Sequence, residues 1–453
     1  KVRDLANPHL IFGLNDQPGP GRTLLAATAH LFAIVASILT APLLIARAVG
    51  LDAASTQYVI SASLVVSGIA TLIQTLRIGV VGSGLLAVQG TSFAFIGTMA
   101  YAAAQLPPQT SNDELLGYLL GTAAVGGGMV VVLSFFLTTV RKVITPTVTG
   151  VTICLLGLSL LWSALGNLWR ALQTASAGDL PLLAFEWVFT LATIGLLATR
   201  ENVYARLISV PAGLVSGLLM AALLRGWSLP AAELDQPLFM LQLLPVSLQF
   251  SPLVLMILLP IFLVSLTETI GDITATSLVS KQPIEGKSYF LRLRGGVLGD
   301  GFNTMLASFL GAFPNTTFSQ NNAVIRLTGI ASRQVGYVLA GLLILLGSVP
   351  AVSALVVTIP GSVLNATTAY LFAMIVHTGF GMVHDHAHHR GLLVLGIAVI
   401  GAFVLVFVPN VLAPVGVEVP GYAAILMGFP VATGALIAMV ADRLVAYPQP
   451  PRH

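Results

Sequence analysis

Charge is what this chain is short of: Asp, Glu, Lys and Arg make up 8% of its 453 residues, against about a quarter in an ordinary globular protein. With 56% hydrophobic residues, it has too little polar surface to cover itself in water, which excludes a soluble globular protein. Cysteine is nearly absent. Cys154 stands alone in an apolar run, so no intramolecular disulfide forms and the redox compartment goes unreported. A cleavable signal peptide is not expected either, because Lys1, Arg3, Asp4 and Asp16 break up the first 20 residues, which read as a short polar tail. A pI near 9.1 would suit a nucleic-acid partner, but the charges sit at the ends of apolar segments rather than in a patch, so nucleic acid is rejected.

What is there is a succession of apolar stretches near 20 residues, the length that crosses roughly 30 Å of hydrocarbon as a helix. The chain reads as an all-α polytopic membrane protein. Charge clusters and Pro/Gly breaks place fourteen spans near 23–46, 54–76, 80–103, 115–140, 143–168, 181–199, 207–224, 253–280, 295–313, 315–332, 335–358, 361–382, 391–409 and 420–446. Cytoplasmic loops collect Lys and Arg, which tests the count. With the N-terminus inside, seventeen of the 20 basic residues fall on the cytoplasmic side. Only Arg47, Arg170 and Arg225 fall opposite. Both termini are therefore expected in the cytoplasm.

Two spans are unlike the rest. "VGSGLLAVQGTSFAFIG" (81–97) and "FPNTTFSQNNAVIRLTG" (313–329) are crowded with Gly, Ser, Thr, Asn and Gln, and neither reads as a continuous helix. They are the third and tenth of fourteen, equivalent places in two halves of seven. Seven is odd, so the halves have opposite orientations. Interrupted segments at matching positions of inverted repeats point to a substrate site at mid-membrane, where broken backbone is tolerated only beside protein or a polar cavity.

Most of the 17 acidic residues fall in tails or loops, and Glu268, Asp272 and Asp300 stand out in or beside predicted spans. Glu268 and Asp272 are four apart and share a helix face. A carboxylate against lipid costs several kcal/mol, which leaves a pocket, a partner or a proton to account for it. Capping of the broken helices is the structural alternative, a closer rival for Asp272 and Asp300 than for Glu268. Burial disfavours the charged form of a carboxyl, which suggests proton coupling. Gln320, Asn321 and Asn322 add amides that donate and accept, ahead of a short helix whose N-terminal N–H groups carry partial positive charge. "GTSFAF" (90–95) repeats that geometry and adds Phe93 and Phe95, aromatic faces that serve either as packing or as a stacking surface for a flat ring. A carboxylate, an amide and an aromatic wall suit a small planar molecule with N–H donors and C=O acceptors. His30, in "TAHLFAIV", is a packing residue or a proton relay. His384, His386, His388 and His389 have irregular spacing and no Cys, so they read as a cytoplasmic loop and not a metal site. "GGVLGDG" (295–301) lacks the context of a nucleotide loop and reads as close helix packing.

"QGTSFAF", "ETIGDITAT", "RLRGGVLGDG" and "FSQNNAVIRLTGIASR" together resemble the nucleobase–ascorbate transporter family, in particular its bacterial xanthine and uric acid permeases. The resemblance implies an inverted-repeat fold with short antiparallel strands in spans three and ten. It implies a cytoplasmic tail at 1–21, a core domain at 22–142 and 250–359, a gate domain at 143–249 and 360–446, and a C-terminal tail at 447–453. It also implies a homodimeric, proton-coupled symporter of the bacterial inner membrane that needs no cofactor beyond the proton gradient. On the family's motifs, Glu268 matches the glutamate that binds the base and Asp272 the supporting position one turn later. Phe93 matches the aromatic that lines the ligand, with Ser92 beside it, and Gln320 the signature amide, flanked by Ser319 and Asn321. Asp300 matches an acid essential in xanthine relatives, and His30 a first-span histidine that affects affinity. The chain departs from the signature at Ala323, where Gly is usual, and at Arg326, where an uncharged residue is usual.

The expected function is proton-driven uptake of a purine, xanthine or uric acid. A uracil permease, or a broader permease for guanine and hypoxanthine, is the alternative. An inorganic-anion carrier of the same architecture fits less well, because Glu268 opposes an anion. A proton-translocating subunit of a redox enzyme would need intramembrane lysines, yet Lys1, Lys142, Lys281 and Lys287 all fall in tails or loops.

Overall fold

The computed structural model describes residues 10–226, 238–415 and 419–445, and of 385–388 and 415 the backbone only. Residues 1–9 of the expected N-terminal tail, and all of the tail at 447–453, lie outside the described residues.

The chain is mostly helical. In order come α1 (Pro20–Val49), α2 (Ala53–Leu76), β1 (Gln89–Thr91), α3 (Phe95–Ala104), α4 (Asn112–Phe135), the single turn α5 (Leu137–Val140), α6 (Pro146–Thr174), α7 (Asp179–Ala198) and α8 (Val203–Arg225). After these come α9 (Pro252–Val279), α10 (Gly286–Phe309), β2 (Asn315–Thr317), α11 (Gln320–Thr328), α12 (Arg333–Gly347), α13 (Pro350–Val357), α14 (Gly361–Leu412), α15 (Gly421–Met427) and α16 (Pro430–Leu444). Their starts are written locally. The side chains of Asp52, Ser111, Thr145, Asn202, Ser251 and Ser332 accept first-turn N–H groups of α2, α4, α6, α8, α9 and α12, donors that no helix can satisfy internally. Proline opens α1, α6, α9, α13 and α16, where its missing N–H costs nothing.

Among the described residues, nine helices are long and apolar enough to cross a membrane, or eleven when two bent pairs are each taken as one span. Those bends were not anticipated. The expected span 335–358 turns by 70° between α12 and α13, and the expected span 420–446 by 88° between α15 and α16. In both, the chain breaks just before a helix-opening proline, Pro350 or Pro430, because proline disfavours the α conformation in the residue ahead of it. The His-rich loop expected after residue 382 is also different: the backbone of α14 runs helically through it, with no Gly or Pro between 382 and 390 to stop it. The side chains of His386 and His388 lie outside the described residues. The remaining expected spans fall on α10, which carries Lys287, Arg292, Arg294 and Asp300, and on the two coil–strand–helix segments around β1 and β2.

In the packing, α4 lies along α10, α2 along α12, and α1 against α2, α3, α8 and α12; α6 lies along α14, α7 along α8, and α16 against both α6 and α14. α9 packs against α3, α4 and α10 and also touches α6 and α16. Small residues permit the close crossings. A side chain at Gly301 would come within 2.7 Å of the Gly127 carbonyl oxygen and 2.8 Å of the Val131 nitrogen, so α10 and α4 meet backbone to backbone, as small-residue interfaces allow where no hydrophobic effect drives association.

Candidate functional site

The two irregular segments meet. β1 pairs antiparallel with β2 in the register Gln89–Thr317, Gly90–Thr316 and Thr91–Asn315. Either side of the ladder, the Ser92 N–H donates to the Pro314 carbonyl and the Phe318 N–H to the Val88 carbonyl, both at 2.9 Å. Each break thus satisfies the other's backbone, which is how non-helical chain survives at this depth. Gly90 makes the approach possible: a Cβ there would overlap the Phe318 ring and lie 3.1 Å from Ile38 Cγ1.

From this junction α3 and α11 depart as short helices of 10 and 9 residues, their first-turn N–H groups beginning beside the strands. α9 passes alongside. Thr317 Oγ1 on β2 donates to Asp272 Oδ2 at 3.0 Å, and Thr276 Oγ1 donates to Asn322 Oδ1 at 2.8 Å, so α9 is fastened to the second break at two successive turns. One small cavity lies between these pieces. Glu268, Asp272, Ser92, Phe93, Ser319 and Gln320 all line it. Asp272 and Phe93 are buried, and Glu268 Oε2 is enclosed without a hydrogen-bond partner. A carboxylate with an uncommitted oxygen, a second carboxyl held by threonine, an amide and a ring edge form a surface that can accept N–H groups and pair with a carbonyl. Nothing cationic lines it.

Residues 21–411 match the model of the Permease family (Xan_ur_permease). The chain belongs to this family, the nucleobase–ascorbate transporters that its motifs resemble. It is 38% identical over 403 residues to the xanthine permease XanP of Escherichia coli K12, covering 88% of this chain and 87% of that one. The xanthine permease XanQ of the same strain is 36% identical over 389 residues, covering 83% and 82%. A purine permease of Emericella nidulans is 32% identical over 409 residues, covering 81% and 70%. Among solved structures, the transmembrane domain of the cyanobacterial bicarbonate transporter BicA superposes with a TM-score of 0.57 at 14% identity over 96% of this chain and all of that one. The murine anion transporter solute carrier 26 family member A9, in its inward-facing state, gives 0.60 at 12% identity over 95% and 69%. These two likenesses speak for the fold alone. The protein is a transporter of the membrane, not an enzyme.

Three of the expected site residues of this permease do not line the cavity. Asn321 is fully buried and donates from Nδ2 to the Leu86 carbonyl at 2.7 Å, tying α11 to the coil before β1. Asp300, on α10, accepts from Thr269 Oγ1 at 2.9 Å through Oδ2, and its Oδ1 has no partner. Thr269 follows Glu268 directly, so Asp300 bears on the cavity through α9, and it also interacts with the Gln89 side chain of β1. His30 is fully buried in α1 with neither ring nitrogen hydrogen-bonded. Sequence reasoning missed the opposite wall, made by Ile153 and Leu156 of α6 and Ile375 and Thr378 of α14. These are ordinary residues of apolar helices, and no motif marks them. The Phe372 ring on α14 also meets the Phe93 ring edge-on, 5.4 Å between centroids.

Proposed function

We propose that this permease is a proton-coupled symporter that imports a purine nucleobase, with xanthine and uric acid as its substrates. The observation that carries the reading is that Glu268 and Gln320, 52 positions apart in sequence, face one cavity together with Phe93. Glu268 accepts ring N–H groups, Gln320 pairs with a ring carbonyl and N–H, and Phe93 covers the ring. The relatives named xanthine and purine permeases support the same substrate class.

The mechanism assigns fourteen crossings in two inverted halves, both termini cytoplasmic, with the cavity between a core formed by α1–α4 and α9–α13 and a gate formed by α6–α8 and α14–α16. The cavity is small, and Ile153, Leu156 and Ile375 of the gate form its far wall. A bicyclic base enters as that wall moves away, and closure over it strips the base of water. A charged Glu268 opposes that transfer through the membrane interior, and a proton bound with the base removes the opposition. Asp272 and Asp300 support the site, His30 packs behind it, and the working unit is a homodimer in the bacterial inner membrane.

The test is uptake of labelled xanthine into proteoliposomes, with uric acid, guanine, hypoxanthine and uracil as competitors, with and without a protonophore. Competition by uric acid and abolition of accumulation by the protonophore are expected. Preferential competition by uracil would overturn the purine assignment, and accumulation indifferent to the protonophore would overturn proton coupling.

A further inference from the structure

The three basic residues that depart from the cytoplasmic pattern, Arg47, Arg170 and Arg225, come from the C-terminal regions of α1, α6 and α8. All three line one cavity of about 680 Å³. Pro360, Gly361 and Ser362 at the start of α14 close the same space. A lone arginine at a helix C-terminus would be explained by the helix dipole, and that explanation is indifferent to which way round the helix it points. Convergence of all three on one cavity is not.

Their partners leave the cavity cationic. Arg225 is matched by the fully buried Glu186, which also accepts from Ser362 Oγ, and it lies 3.7 Å from Asp179. Among the described residues Arg47 donates only to main-chain carbonyls, of Val357 at 3.1 Å and Ile359 at 2.7 Å. Arg170 donates to Asn167 Oδ1 at 2.5 Å. Among the described residues, Arg47 and Arg170 therefore have no carboxylate partner, three guanidinium groups stand against the two carboxylates of Glu186 and Asp179, and both unpaired residues are exposed. Phe372 lines this cavity and its ring meets that of Phe93 in the inner one, so this aromatic pair links the walls of the two spaces.

We propose that this outer cavity is an entry site that collects the deprotonated, anionic form of an oxopurine and hands it past Phe372 to the inner cavity. The assignment rests on the purine reading above. Guanidinium groups are planar fork donors that suit an acceptor-rich flat anion, and a cleft lined by one sign of charge raises the local concentration of its counter-ion. On moving inward the anion's deprotonated ring nitrogen takes a proton from the outer water, in addition to the proton that Glu268 binds, so that base and carboxyl both cross uncharged.

The experiment places a reporter thiol in the full-length chain with Ser163→Cys, an exposed position on the cavity wall; the native Cys154 is buried. Anionic and cationic methanethiosulfonate reagents are compared for rate. The anionic reagent should be favoured by about tenfold relative to a free thiol, the preference falling in Arg170→Gln, reversing in Arg170→Glu and surviving in Arg170→Lys. In transport at mildly acidic pH, where urate is an anion and xanthine is largely neutral, Arg170→Gln should raise KM for urate several-fold without lowering kcat and leave KM for xanthine nearly unchanged. A reagent preference unaltered in Arg170→Glu, or equal KM changes for both purines, would overturn the entry site. The thiol ratio reports the cavity whether or not the protein carries purines. A ratio favouring the anionic reagent without purine uptake would therefore overturn the purine as its ligand and the transport reading, while a flat ratio with purine uptake overturns the entry site alone.

Discussion

Replacing Glu268 by glutamine isolates the charge of the proposed site from its shape. Oε2 is enclosed and has no hydrogen-bond partner within the protein, so the amide breaks no internal bond and the substrate-free protein should melt within a degree or two of the wild type. Binding should suffer. A hydrogen bond to a charged group contributes about 1.5–3 kcal/mol, and at about 1.4 kcal/mol per factor of ten its loss weakens xanthine binding roughly 10- to 150-fold. Melting in detergent reads this directly. At a ligand concentration 100 times the wild-type Kd, binding stabilises the folded protein by about 2.7 kcal/mol. For a variant with a 30-fold weaker Kd the same concentration gives about 0.9 kcal/mol. The second reading is accumulation in proteoliposomes under an imposed pH gradient, which the variant should lose while retaining slow exchange. If Glu268→Gln were stabilised by xanthine as fully as the wild type and still accumulated it against a gradient, the assignment of Glu268 to both base and proton would fall.

Two further substitutions test how the site is held. Thr317→Val keeps the shape of β2 but removes the donor to Asp272 Oδ2; a buried carboxyl left short of a partner costs about 1–3 kcal/mol, so the melting temperature should drop and xanthine affinity with it, and an unchanged melting curve would show that this hydrogen bond contributes nothing. Gly301→Val forces a side chain against the main chain of Gly127 and Val131 and should destabilise by about 1–3 kcal/mol or more, whereas at Gly128 the nearest atom is Met305 Sδ at 3.9 Å and valine should be tolerated. Equal stability of the two valine variants, by thermal melting, would refute the close crossing of α4 and α10.

The membrane character, the positions of most helices and the two irregular segments follow from the sequence alone, because apolar length and proline or polar breaks act within a few residues of where they stand. The face shared by Glu268 and Asp272 is likewise local, four residues being about one helical turn. What periodicity leaves open is which neighbour a face meets. Gln320 and Asn321 are adjacent and chemically alike, yet one lines the cavity and the other holds the Leu86 carbonyl, since a helix turns successive side chains about 100° apart and only the packing of α11 decides which points inward. Ile153, Leu156, Ile375 and Thr378 carry no chemical mark, so their place on the cavity wall comes entirely from how α14 packs along α6 and α6 against α9. The gathering of Arg47, Arg170 and Arg225 has the same origin: charge counting puts all three on one side of the membrane, and only the tertiary arrangement of α1, α6 and α8 brings them to one cavity.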